Sequence, residues 1–206
     1  MLPDPIGPLD APAPAPRAAS PPGRRRRAVY LDRDGTINPD LKYLKDASRL
    51  EVFRGVAEAI RLVRAHGFVV VCVTNQSGIE RGYYTVEDVE RIHLRVNEIL
   101  AREGARVDAF YYCPHAPESG CACRKPGTEL FERAERELGL ARSGSAVLGD
   151  RALDVEAGER LGLLTILVAP AADGDTVEKD LAAHRVRPDL TAPSMRAGVA
   201  RLLAIG

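Results

Sequence analysis

The feature that most restricts the fold is a continuous apolar run at residues 68–73, Phe-Val-Val-Val-Cys-Val. Its β-branched residues favour an extended strand, and the absence of polar alternation indicates burial on both faces. Such strands are typical of parallel sheets that are covered by helices. Apolar residues at helical spacing precede the run, at Val56, Ala59, Ile60 and Val63, and Gly67 is placed to end that helix.

The same alternation of helix and strand patterns continues along the chain. Thr85 and Asp88 have the spacing of a capping box, which would open a helix with an apolar stripe at Val89, Ile92, Val96 and Ile99. Further strands are predicted at 107–112, 145–149 and 163–168, with helices near 128–138 and 153–161. The alternation predicts a three-layer α/β fold with a mainly parallel sheet.

Composition divides the chain into a tail and one domain. The first 23 residues contain eight prolines and no periodicity, so residues 1–27, including the Arg24–Arg27 run, are predicted to be a disordered tail. Residues 28–206 would form a single domain. Acidic and basic residues are equal in number, 29 of each, which argues against nucleic acid or membrane as a partner. We expect a cytoplasmic location, because there is neither a signal peptide nor an apolar span. A monomer is expected because the sequence shows no self-complementary patch.

Polar residues follow three of the predicted strands. Asp32 and Asp34 come at the end of the strand in VYLDRDGTIN, residues 29–38, and their side chains should point to the same side. Thr74-Asn75-Gln76 follows the second strand, and Asp150 follows the strand at 145–149. Because ligands bind beyond the carboxyl ends of parallel strands, these residues are expected to meet in one site.

Clustered carboxylates of this kind suit Mg²⁺ shared with a phosphate group. Lys125, in the stretch CRKPG, and Thr74 could hold phosphoryl oxygens while the metal neutralises the remaining charge. An aspartate can also act as the nucleophile and form an aspartyl-phosphate. The residues therefore indicate phosphoryl transfer.

The motifs DRDGT (32–36), TNQSG (74–78), CRKP (123–126) and GDRALD (149–154) resemble, in type and order, those of haloacid-dehalogenase-type phosphatases. The resemblance implies a Rossmann-like fold in which Asp32 attacks phosphorus and Asp34 is the general acid and base. Thr74 and Lys125 would stabilise the phosphoryl group. Magnesium would be bound by Asp32, the backbone carbonyl of Asp34, and Asp150. For Asp154 two roles stay open: support of this site, or favourable placement in the first turn of a helix.

A second cluster lies in YYCPHAPESGCACRKP, residues 111–126. Cys113, His115, Cys121 and Cys123 form a C-x-H-x₅-C-x-C set that suits a tetrahedral, structural zinc site. A disulfide or reduced loop cysteines are the alternatives. Cys72 lies within the apolar run and is predicted to be a core thiol. No stretch between the motifs is long enough for a large cap domain, so the zinc loop and the 76–85 loop would shape the substrate pocket.

The zinc loop resembles that of D-glycero-D-manno-heptose-1,7-bisphosphate 7-phosphatases and of histidinol-phosphate phosphatases. The segments INPDLKY (37–43) and TNQSGIERGYYT (74–85) favour the heptose enzymes, with removal of the 7-phosphate as the implied reaction. This resemblance implies that a small phosphorylated sugar is bound by Asp40, Tyr43, Asn75, Gln76, Ser77 and Arg124. Histidinol phosphate is the alternative substrate.

Two other functions fit the sequence less well. A phosphatase acting on nucleic acid ends would need a basic groove, which the balanced charge does not favour. A non-catalytic binding module would need a degenerate site, but each motif position carries the expected residue type. His66 and His93 lie in helical patterns and are interpreted as surface or satisfied core residues. The Glu80-Arg81 pair is interpreted as part of a solvated loop, with contact to substrate as the alternative.

Overall fold

The computed structural model describes residues 25–169 and 174–205. Its strands are β1 (Arg26–Leu31), β2 (Val69–Asn75), β3 (Ala109–Cys113), β4 (Leu140–Gly149), β5 (Leu164–Val168) and β6 (Leu190–Ala192). Its α-helices are α1 (Val56–Ala65), α2 (Val86–Ala101), α3 (Glu129–Leu138), α4 (Ala152–Leu161), α5 (Gly174–His184) and α6 (Met195–Ile205). Short 3₁₀ turns lie at Ala47–Arg49 and Pro117–Ser119.

The six strands form one parallel sheet in the order β3-β2-β1-β4-β5-β6. Alternate side chains of β2 pack on opposite faces. Val70 and Cys72 contact the core beneath α1, α2 and α6, whereas Val71 and Val73 contact the core beneath α3 and α4. This confirms the prediction of a central strand buried on both faces, and with it the three-layer α/β fold.

The predicted elements between residues 56 and 168 are confirmed, with ends that differ by a few residues. The capping box at the start of α2 is present, since Asp88 N donates to Thr85 Oγ1 and Thr85 N donates to Asp88 Oδ2. Strand β4 is longer than predicted, because it begins at Leu140 with a half that is mostly exposed. The C-terminal elements α5, β6 and α6 were not predicted.

The first strand begins at Arg26, so residues 26 and 27, which were assigned to the tail, belong to the sheet. Arg27 also places its guanidinium over the ring of Phe68, 4.3 Å from the centroid. The predicted tail at residues 1–24 lies outside the described residues. Across the described ranges, no helix combines the length and apolar character that crossing a membrane requires.

The strand order reverses between β1 and β4. In open parallel sheets, the loops that leave two such strands run in opposite directions and open a crevice at their carboxyl ends. Asp32 immediately follows β1, and its backbone N–H donates to Leu148 O of β4 at 3.0 Å. Asp150 immediately follows β4. The reversal point therefore brings the two predicted acidic motifs to one place.

Candidate active site

Lys125 lies at the centre of the buried part of the site. Its ammonium donates to Asp32 Oδ1 at 2.7 Å, to Asp154 Oδ1 at 2.6 Å and to Val73 O at 2.8 Å. Burial alone would lower the pKa of Lys125, but the charges of Asp154 and Asp32 outweigh it and raise the pKa. Lys125 is therefore a cation whose three hydrogens are all directed at acceptors.

Burial raises the pKa of Asp32 to about 6, although Lys125 acts in the opposite direction. Asp150 receives a hydrogen bond from Thr36 Oγ1 at 3.2 Å. It forms no ion pair with any described residue. Burial, together with the negative charges of Asp32 and Asp154, raises the pKa of Asp150 to about 8. The site thus contains a carboxylate that lacks a counter-charge.

Asp154 has both of the roles that the sequence left open. It is buried in the first turn of α4, where its Oδ2 accepts a hydrogen bond from Arg151 N at 3.2 Å. Its other oxygen accepts from Lys125. The same carboxylate therefore stabilises the helix start and fixes the lysine beside Asp32.

Asp34 is surrounded by hydrogen-bond donors. Its Oδ1 accepts from Arg33 Nε (3.2 Å) and Asn38 Nδ2 (2.9 Å), and its Oδ2 accepts from Arg33 Nη2 (2.7 Å) and Gln76 Nε2 (2.9 Å). Burial would raise the pKa of Asp34, but the Arg33 guanidinium outweighs it and holds the pKa below its usual value. Asp34 is thus stabilised as a carboxylate in the described state.

Residues at the carboxyl end of β2 connect the Asp34 motif to the segment that carries Lys125. The Gln76 amide also donates to Thr74 Oγ1 at 2.9 Å, and its oxygen accepts from the Tyr84 hydroxyl at 2.8 Å. Asn75 Nδ2 donates to Lys125 O at 3.2 Å, and Lys125 N donates to Asn75 Oδ1 at 3.0 Å. Asn75, predicted to bind substrate, therefore orients the segment that carries Lys125.

The acidic cluster has the chemistry of a site for a hard divalent cation. Oxygen atoms of Asp32, Asp150 and Asp154 lie within 4.8 Å of one another. Lys125 is shared between two of these carboxyl groups, and Asp150 has no ion pair with any described side chain, so a further cation is needed for all three to be ionised together. The donor set of carboxylate oxygens, with this need for positive charge, fits Mg²⁺.

The four predicted zinc ligands also come together. Sulfur-to-sulfur distances among Cys113, Cys121 and Cys123 are 3.2 to 3.5 Å, and His115 Nδ1 lies 3.2 Å from Cys123 Sγ and 3.6 Å from Cys113 Sγ. A disulfide requires about 2.05 Å between sulfurs, so none is formed. Three thiols and one imidazole nitrogen converging on a point fit tetrahedral Zn²⁺.

The acidic motif opens into a cavity of about 450 Å³. The predicted substrate-binding residues all line it, namely Asp40, Tyr43, Asn75, Gln76, Ser77 and Arg124. Lys42 and Arg151 also contribute to the wall. Tyr43 packs edge to face on Tyr83 with 4.6 Å between ring centroids, which connects the 39–46 loop with the 76–85 loop.

The 76–85 loop is also attached to the cysteine loop. Glu80 accepts hydrogen bonds from Ser119 Oγ at 2.5 Å and from Ala116 N, and Arg81 lies 3.4 Å from Glu118. Glu80 and Arg81 are both exposed, as a solvated loop predicts, and these contacts also give them partners in the cysteine loop. The two loops form one wall beside the cavity.

Arg33 and His93 are the residues of the site that the sequence interpretation missed. Arg33 is the middle residue of DRDGT, and its side chain is buried beside Asp34. His93, on α2, lies 3.4 Å from Arg33 and has no partner for Nδ1 among the described residues, so it is not the satisfied core histidine that was expected. For Arg33 the sequence offered one signal, a basic residue between two aspartates of the motif, and for His93 it offered none.

Comparison with known proteins agrees with this geometry. A family model described as HAD-hydrolase-like, for haloacid dehalogenase, matches residues 122–197. D-glycero-beta-D-manno-heptose-1,7-bisphosphate 7-phosphatase of Helicobacter pylori is 40% identical over 133 residues, which cover 64% of this chain and 77% of that protein. D-glycero-D-manno-heptose-1,7-bisphosphate 7-phosphatase of Thermosynechococcus vestitus is 35% identical over 185 residues, 84% of this chain and 94% of the relative.

A solved structure extends the similarity to three dimensions. The D,D-heptose 1,7-bisphosphate phosphatase of B. bronchiseptica, crystallised with magnesium and phosphate, is 31% identical and has a TM-score of 0.76. The match covers 87% of this chain and 99% of that structure. The chain therefore belongs to the D-glycero-D-manno-heptose-1,7-bisphosphate 7-phosphatase family of haloacid-dehalogenase-like hydrolases.

Proposed function

We propose that this protein is a Mg²⁺-dependent phosphatase that removes the 7-phosphate of D-glycero-D-manno-heptose 1,7-bisphosphate. The observation that carries the proposal is the buried Asp32–Lys125–Asp154 arrangement at the reversal point of the sheet, in a chain whose relatives are named for this reaction. The relatives reported above do not favour the histidinol phosphate alternative.

Asp32 is the proposed nucleophile. One of its oxygens forms a bond to phosphorus while the bond from phosphorus to the sugar oxygen breaks. Asp34, a carboxylate in the free protein, takes up a proton when the negatively charged phosphate group lies beside it, and gives that proton to the departing sugar oxygen. Asp34 then takes a proton from a water molecule whose oxygen attacks phosphorus, and the Asp32–phosphorus bond breaks. Inorganic phosphate leaves, and both aspartates return to their starting states.

Thr74 and Lys125 are the proposed electrostatic partners of the phosphoryl group. Lys125 already lies 2.7 Å from the attacking carboxylate, so its charge is close to the oxygens that become more negative during transfer. Asp154 holds the lysine at that position. The hydroxyl of Thr74 is buried on the same side and is oriented by Gln76.

Asp32, the backbone carbonyl of Asp34, and Asp150 are the proposed magnesium ligands. When bound, the ion would neutralise phosphate charge and help to align it with the nucleophile. Cys113, His115, Cys121 and Cys123 are the proposed ligands of a structural zinc ion. Their loop continues directly into Arg124 and Lys125, so its order determines where both cations lie.

The cavity wall is the proposed binding surface for the phosphorylated sugar. Arg124, whose guanidinium donates to His115 O at 3.2 Å, would recognise the substrate from a position fixed by the zinc loop. Asp40, Tyr43, Gln76 and Ser77 would contact it from the other side. A monomer located in the cytoplasm remains a prediction from the sequence.

The test measures Mg²⁺-dependent phosphate release from both anomers of heptose 1,7-bisphosphate and from histidinol phosphate at equal concentrations. We expect a heptose preference in kcat/KM of about a hundredfold or more. A preference for histidinol phosphate would overturn the substrate assignment while leaving the phosphatase chemistry in place. Lack of release from every phosphate ester would overturn the enzymatic function itself.

A further inference from the structure

Arg33 determines the orientation of the Asp34 carboxylate more than any other neighbour. It supplies two of the four donors to Asp34, one to each oxygen, from a single rigid plane. Bidentate pairs of this kind fix the plane of the carboxylate as well as its distance. Gln76 and Asn38 each supply one donor. The direction in which Asp34 can give or accept a proton therefore depends on where the guanidinium lies.

The Arg33 side chain is 1% exposed, so it has almost no contact with solvent. A guanidinium in this position needs protein partners for its remaining hydrogens, because burying an unpaired polar group is unfavourable. Its third nitrogen, Nη1, faces Nε2 of His93 at 3.4 Å. His93 is thus the side chain on the opposite side of Arg33 from Asp34.

His93 is held in place by its surroundings on α2. The ring is completely buried and stacks on Phe110, with 4.4 Å between centroids and 14° between planes. Because a guanidinium nitrogen can only donate, Nε2 must accept, and the ring proton then lies on Nδ1. That nitrogen finds no acceptor within the described part of the chain. Burial, reinforced by the positive charge of Arg33, lowers the pKa of His93 and keeps the ring neutral.

We propose that His93 is a positioning residue that acts through Arg33 to hold Asp34 in the orientation for proton transfer to the leaving oxygen. The proposal rests on the phosphatase function and on the acid–base role of Asp34. A histidine whose second nitrogen is left unsatisfied in the core is costly. The contact of its other nitrogen with Arg33 explains why a histidine occupies this position despite that cost. The same contact joins α2 to the catalytic loop after β1.

The consequence differs between leaving groups. A sugar alkoxide is a poor leaving group and needs a proton as its bond to phosphorus breaks. When acetyl phosphate is cleaved, by contrast, the leaving group is acetate, which is a stable anion without a proton. A misaligned Asp34 should therefore slow cleavage of an alkyl phosphate and leave cleavage of acetyl phosphate almost unchanged. The parameter to compare is kcat/KM, because it reports the steps up to departure of the leaving group.

The experiment compares His93→Phe with His93→Gln in the full-length protein. Phenylalanine keeps the stacking on Phe110 but removes the acceptor, and glutamine can place an amide oxygen near the position of Nε2. For His93→Phe we expect kcat/KM for the heptose bisphosphate to fall about 10- to 30-fold, against less than about threefold for acetyl phosphate. His93→Gln should remain within about threefold of the wild type for both substrates.

Equal losses on both substrates, no loss on either, or failure of glutamine to restore the alkyl phosphate rate would each overturn the proposal. If His93→Phe does not fold, His93→Leu replaces it, because leucine also removes the acceptor. Arg33→Lys tests the other half of the connection, since lysine keeps the charge but not the bidentate geometry at Asp34, and it should show the same difference between the two substrates. Nitrogen-15 NMR of the wild type supplies a readout independent of turnover. A protonated Nδ1 with an unprotonated Nε2 is expected, and the opposite tautomer would contradict the contact. Loss of the proposed function would appear separately, as inactivity of the wild type on the heptose bisphosphate.

Discussion

The ammonium of Lys125 lies 2.7 Å from the carboxylate of Asp32, and both side chains are buried at the point where the strand order reverses. The lysine is shared with Asp154, 2.6 Å away, so it would keep one ionic partner if Asp32 lost its charge. A mutation of Asp32 can therefore test its proposed role as nucleophile while the fold is kept.

Asp32→Asn should reduce turnover by on the order of 10³-fold or more, because the amide cannot serve as the attacking oxygen. The side-chain volume barely changes and Lys125 stays paired with Asp154, so we expect the melting temperature to shift little. Phosphate release and thermal unfolding are measured on the same sample. Asp46→Asn, at an exposed turn, is the control and should keep full activity. Substantial turnover by Asp32→Asn would rule out a covalent intermediate on this residue.

Cys121→Ser should abolish stoichiometric zinc binding, since three ligands and a weakly binding hydroxyl remain. Loss of the ion would loosen the segment that carries Arg124 and Lys125, raising KM and lowering kcat together. Elemental analysis of the purified protein gives the zinc content. The matched control is Cys72→Ala, in the buried strand β2, which should keep zinc and lose about 1 kcal/mol of stability. One zinc per chain in Cys121→Ser would refute the ligand assignment.

Gly35→Ala should weaken Mg²⁺ binding and reduce activity by about a hundredfold. Gly35 has φ +89°, and a Cβ there would collide with the carboxylate of Asp150. Gly67→Ala is the control, because its φ of +85° imposes similar backbone strain while nothing lies within 4 Å of the added atom. Both variants should lose about 1 kcal/mol of stability from the left-handed conformation. Isothermal titration calorimetry measures the Mg²⁺ affinity of each variant, which should be lower for Gly35→Ala than for Gly67→Ala. Equal affinities would disprove the close approach of the Gly35 backbone to Asp150.

Because His93 is buried, we expect the free energy of unfolding to depend on pH. Its pKa is lowered in the folded protein from the ordinary value of 6.5, so below pH 6.5 the unfolded chain binds a proton that the folded chain does not. The free energy of unfolding should therefore decrease as the pH falls below 6.5, by up to about 1.4 kcal/mol per pH unit from this residue.

Urea unfolding of the wild type and of His93→Gln between pH 5 and 7 isolates this contribution. The charged groups near the ring, Arg33 and Asp34, are unchanged in the variant, so their effects cancel in the difference. The wild type should lose more stability than the variant on acidification. Parallel pH profiles for the two proteins would show that His93 titrates normally in the folded state.

Local patterns were sufficient for the elements that form the centre of the fold. The β-branched run of β2 and the capping box of α2 are local features, because side-chain period and backbone capping depend on residues close in sequence. The same patterns failed at the C-terminus. Strand β6 is only three residues long, and α5 and α6 lie in a stretch with weak turn and periodic signals.

The sequence by itself determined which residue types would meet, through motifs placed at the ends of strands. These are the aspartates after β1 and β4, the polar residues at the end of β2, and the cysteine-histidine loop. The tertiary structure decided the partners. Arg33 contacts His93 across 60 positions, and Lys125 reaches Asp32 across 93. Such contacts follow from the strand order and from the packing of α2 on the sheet, which bring distant segments together. No local spacing encodes them, because side-chain hydrogen bonds form only between groups that the whole fold has already placed within hydrogen-bonding distance.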